Sequence, residues 1–70
     1  MGQKRLDSEL EKRIKSLFKK EHRFVPLGLV RCYACNNTVK EASESSGNDL
    51  DYVREVYLNI KRTLREEDIS

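Results

Sequence analysis

Cys32 and Cys35, in Cys32-Tyr33-Ala34-Cys35, are the only two cysteines in a chain of 70 residues. Thiolates at this spacing converge readily on one soft cation, and zinc takes four such ligands in a tetrahedron. The pair is therefore half of a zinc site. The other half has two sources. A second copy of the chain can supply its own Cys32 and Cys35, placing the ion on a twofold axis. Alternatively His22, the single histidine, is the third ligand within one chain, with a carboxylate, a water or a partner residue as the fourth. A redox pair is a third reading, but a thioredoxin-like dithiol needs a βαβ framework that does not fit here. Two thiols that bind no metal are the fourth.

A second set of residues concerns phosphates. Arg5, Lys12, Lys15, Lys19 and Arg23 recur along the first third of the chain. A row of cations on one helix face tracks a nucleic-acid backbone. Glu9, Glu11 and Glu21 lie among them, and the net charge is only +2. Charge is divided unevenly: residues 1–23 carry a net +4 and residues 41–70 a net −4. Opposite charge favours packing the two ends against each other.

The sequence offers no catalytic constellation. It holds one histidine, no glycine-rich phosphate loop and no assembled Ser-His-Asp set, so the expectation is a non-enzyme.

The elements that must position these residues follow from periodicity. Leu10, Ile14, Leu17 and Phe18 share one face at helical spacing, predicting a helix over about 7–22. Ser8 and Glu11 read as its capping box. Leu50, Val53, Tyr57, Ile60 and Leu64 alternate by three and four, a heptad seam widened by Val56, predicting a helix over 49–67. The expected core is Leu10, Ile14, Leu17, Phe18, Val53, Tyr57, Ile60 and Leu64. Tyr52 and Leu58 lie off the seam and are candidate interface positions. Arg54, Lys61 and Arg65 surround Leu58.

Between the helices, Pro26 and Gly28 read as helix breakers. Leu29-Val30-Arg31 and Thr38-Val39 suit short extended segments, with the cysteines in a knuckle over 24–39. Asn36-Asn37 supplies the turn, since asparagine tolerates a positive φ better than most residues. Thr38 and Glu41 make a further capping box for a helical turn to about Ser45, and Ser45-Ser46-Gly47-Asn48 reads as a loop.

The order of helix, loop, Cys-x-x-Cys and helix resembles the zinc hook of the long coiled-coil ATPases of DNA break repair. That resemblance implies one zinc shared by two copies; Pro and Gly do not stand between these cysteines. Val30-Arg31-Cys32-Tyr33-Ala34-Cys35 is also similar to the start of the small zinc-bundle subunit of archaeal and eukaryotic RNA polymerases. That family has a second cysteine pair downstream, where Lys61-Arg62-Thr63 offers none.

The expectation is a single mainly α domain over 1–70: an antiparallel helical hairpin with a zinc knuckle in its connection. Two copies would form a four-helix homodimer. Its function would be to bind another macromolecule as a zinc-stabilised interaction or regulatory protein. The alternative is a nucleic-acid-binding regulator using the basic face. No stretch is long and apolar enough to span a membrane. The opening Met-Gly-Gln-Lys-Arg-Leu has no apolar run for a signal peptide, which predicts an intracellular protein, cytoplasmic or nuclear.

Overall fold

The structure, a computed structural model, describes residues 5–69. It contains four helices: α1 (Ser8–Lys20), α2 (Leu27–Ala34), α3 (Val39–Ser46) and α4 (Leu50–Ile69). The described residues form no strand, so the mainly α expectation is met. The extended segments expected around the cysteines are corrected, because Leu29, Val30 and Arg31 lie in α2.

Asp7 starts α1, one residue before the expected cap. Its carboxylate accepts the Leu10 N–H at 3.1 Å. Glu11, expected to complete a capping box with Ser8, instead pairs with Lys15 at 3.4 Å and Arg31 at 3.6 Å. The helix ends in a Schellman turn. Arg23 N–H donates to the Phe18 carbonyl and His22 N–H to the Lys19 carbonyl, with His22 at φ 56°.

Pro26 and Gly28 do not prevent α2 because neither sits in a helix interior. Pro26 is the N-cap, and its carbonyl accepts the Leu29 and Val30 N–H groups at 3.1 Å each. A missing N–H costs nothing there, since the first amides of a helix lack intrahelical partners anyway. Gly28 falls in the first turn, where a glycine is least disruptive. The helix closes at Cys35 with a second Schellman turn, Asn37 N–H to the Cys32 carbonyl and Asn36 N–H to the Tyr33 carbonyl. Asn36 takes φ 62°, the role expected of an asparagine here.

Thr38 and Glu41 form their capping box. Thr38 Oγ1 accepts from Glu41 N at 3.1 Å, and the Glu41 carboxylate accepts from Thr38 N at 2.8 Å. Gly47, at φ 73°, ends α3. Asp49 then passes its carbonyl to Val53 N–H, and α4 begins at Leu50. At 20 residues α4 is about 30 Å long.

Asp7 N–H donates to the Ala34 carbonyl, placing the start of α1 beside the end of α2, so these two helices run antiparallel. Both α2 and α4 pack against all three other helices, whereas α1 and α3 do not meet. Ile14, Leu29, Val30, Val53 and Ile60 are fully buried at the centre, with Phe18, Ala42 and Val56 beside them. Leu10, Tyr57 and Leu64 pack against this cluster from partly buried positions. Leu17 is only partly buried, and Leu50 is exposed, so the expected seam is shorter than its heptad pattern. Thr63 is the one buried polar residue among those described. Its hydroxyl donates to the Asn59 carbonyl and accepts from Arg23, whose guanidinium also stacks 4.6 Å above the Phe18 ring.

Helical register in α2 makes a sharp prediction. Leu29 is fully buried, while Leu27, two residues earlier, is 56% exposed. Leu29→Ala should cost about 2–5 kcal/mol in a urea melt, and Leu27→Ala should stay within about 0.5 kcal/mol. Equal effects would refute this register.

Candidate functional site

The two thiols sit at the end of α2. Cys32 lies in its last turn and packs against the core; Cys35 is the C-cap. Both are free and partly exposed. Three residues apart on a helix, they project from the same side. Tyr57 lies close to both. Burial pushes its phenol up to about 12, and the charges of Cys32, Tyr33, Cys35 and Glu41 add to the shift. His22 stands in the α1–α2 connection, at the other end of α2 from the cysteines. Among the described residues, no three His, Cys, Asp or Glu side chains are grouped so as to hold a metal ion.

Beside the thiols is a groove of about 650 Å³. Its floor is apolar: Leu10 from α1, Ala34 from α2, Val39 from α3 and Tyr57 from α4, with Leu58 of α4 on the wall. The Tyr33 and Tyr57 rings meet edge to face at 5.1 Å and 78°. Tyr57 O–H donates to the Asn37 carbonyl at 3.0 Å. That bond spans twenty residues and ties α4 to the α2–α3 turn. The floor is therefore held by packing and a hydrogen bond before anything binds.

Charge around the groove is one-sided. Asp7 lines it, but its carboxylate is occupied as the α1 cap. Arg54 and Lys61 of α4 line it as well. Arg54 reaches Asp51 on its own helix at only 4.0 Å. The ion pairs among the described residues leave Lys61 out.

Leu58, a candidate from the sequence, is 53% exposed and lines this groove. Tyr52 is exposed too, but it lies six positions before Leu58, which turns the two about 120° apart on α4. They do not make one patch. Tyr33, Asn37 and Val39 carry no sequence signal beyond their place in the 24–39 connection, whereas Leu58 with Arg54 and Lys61 around it is an interface candidate from spacing alone.

The basic row is interrupted. Lys15 pairs with Glu11. Arg23 bonds Glu21 at 2.9 Å and Thr63 at 3.1 Å, so it fastens α1 to α4. Lys12 lines a shallow hollow with Glu9 and Glu67. Arg5 is exposed ahead of α1, and Lys19 is exposed near its end. No described helix is long and apolar enough to cross a membrane.

Tyr57 makes the site's pH dependence predictable. Its pKa is raised from 10.0 to about 12 in the folded chain. The folded state therefore holds the proton more tightly than the unfolded state. This contribution is complete below pH 10 and is lost as pH rises toward 12. Denaturation followed across that window should show falling stability, and Tyr57→Phe should flatten the fall. An unchanged slope in the variant would remove Tyr57 as its source.

No family model, curated protein or solved structure matches this chain.

Proposed function

We propose that this chain is a non-catalytic interaction module that binds a segment of another protein in the groove between α4 and the α2–α3 turn. The observation that carries this reading is Leu58, which is half-exposed on the wall of a concave apolar surface. Binding sites are typically concave, mostly apolar and largely formed in advance. The Tyr33–Tyr57 contact and the Tyr57–Asn37 bond meet the last condition. The titratable side chains lining the groove are Asp7, Tyr33, Tyr57, Arg54 and Lys61, which supply no nucleophile paired with a base.

The nucleic-acid reading draws less support. Two of its five cations are engaged with carboxylates, and Arg23 is also engaged with Thr63. The remaining three, Arg5, Lys12 and Lys19, make a short footprint.

Panning a random peptide display library against the folded protein tests the groove. Bound peptides should shift amide NMR signals of Leu10, Tyr33, Asn37, Val39 and Leu58. Leu58→Glu should weaken them by at least about tenfold, the loss of a central apolar contact. Binders that map elsewhere, or that ignore this substitution, would overturn the reading.

A second reading concerns metal, and the same-side, partly exposed thiols favour it. Two copies would share one zinc through Cys32 and Cys35 of each. Neither thiol lines the groove, so the two readings stand independently. Native mass spectrometry of chelator-free protein should then show one zinc per two chains, with Cys35→Ser losing zinc and dimer together. A metal-free monomer would dismiss the shared site.

A further inference from the structure

Resting on the groove reading, we propose that the partner segment is an acidic amphipathic helix. The charge balance of the groove is the first argument. Asp7 is the one acid in its lining and accepts the Leu10 N–H while keeping its charge; Glu41, outside the lining, accepts the Thr38 N–H. Its cations are open. Arg54 holds Asp51 at the limit of ion-pair distance, with side chains 60% and 96% exposed. Lys61 has no ion pair among the described residues. A ligand bearing carboxylates meets two cations there against the single carboxylate of Asp7, so the lining is net positive.

Spacing is the second argument. Arg54, Leu58 and Lys61 sit at i, i+4 and i+7, on one face of α4. The two cations are therefore about 10.5 Å apart along the axis, with an apolar residue between them. A helix with acids seven residues apart and an apolar side chain between presents the matching pattern at the same pitch.

The floor excludes other occupants of the same charge. Tyr33 and Tyr57 pack edge to face and do not form the parallel aromatic platform on which successive bases stack. Leu10, Val39 and Leu58 would bury against phosphates without reward. A concave surface also fits a lipid headgroup plane poorly.

The test is a display library of helical peptides with randomised surface positions, panned against wild type and against the double variant Arg54→Glu/Lys61→Glu. Both positions are exposed, and circular dichroism checks that the fold is kept. Peptides enriched on the wild type should carry acidic pairs seven residues apart flanking a large apolar residue. They should bind the double variant at least about tenfold more weakly, and more weakly still at high salt. The double variant should enrich basic peptides instead. Neutral or basic peptides enriched on the wild type and lost in Leu58→Glu would overturn the acidic partner while leaving the groove reading intact. Peptides unaffected by Leu58→Glu would bring down the groove reading itself. Sedimentation that shows a wild-type dimer dissolved by Leu58→Glu would assign the groove to a second copy and overturn this proposal.

Discussion

The structure depends on burying α2. Leu29 and Val30 are fully withdrawn from water, and the helix that carries them touches each of its three neighbours. Complete burial of a leucine or valine side chain contributes about 1.5–3 kcal/mol, a large fraction for a chain of this size. α1 and α3 never meet, so α2 and α4 are what hold them in one body. Docking α2 also decides where the groove forms. Its far end delivers Tyr33, Ala34 and Asn36 to the groove and leaves both thiols partly open beside it.

Tyr57 links three levels of this organisation. Its ring packs against the core, its edge contact with Tyr33 shapes the floor, and its hydroxyl fixes the Asn37 carbonyl. The same burial that places the ring raises its phenol. One side chain thus joins the packing of α4 to the position of the α2–α3 turn. A groove built this way needs little rearrangement on binding, which lowers the entropic cost of recognition.

Much of the fold was legible. The α1 periodicity, the Thr38–Glu41 box, the turn at Asn36 and the extent of α4 all follow from local chemistry that the structure repeats. α2 was not legible, for a definite reason. Pro26 and Gly28 stop a helix when they lie inside it, but they sit at its entrance, where the same residues are tolerated. Val30 and the nearby cysteines then matched an extended knuckle equally well. Tertiary burial, absent from any local signal, settled the choice. For the groove, Leu58 and its flanking cations were visible as a pattern on α4. Its opposite wall was hidden, because it is assembled from the ends of three other helices that only the packing of α2 brings together.

Three helices end on residues with left-handed backbone, His22, Asn36 and Gly47. Each reverses the chain within a few residues, so most partners in the core are near neighbours along the sequence. Little loop entropy must be spent before contacts form. Chains dominated by such local contacts reach their native state in microseconds to milliseconds. The α1–α2 and α3–α4 pairs can each close early, and the encounter of the two pairs is then the remaining search. A ligand that grips Leu10, Val39 and Leu58 together would act on that last event, because these residues come from both pairs. Occupying the groove would slow the separation of the two halves, so partner binding would lengthen the lifetime of the folded chain.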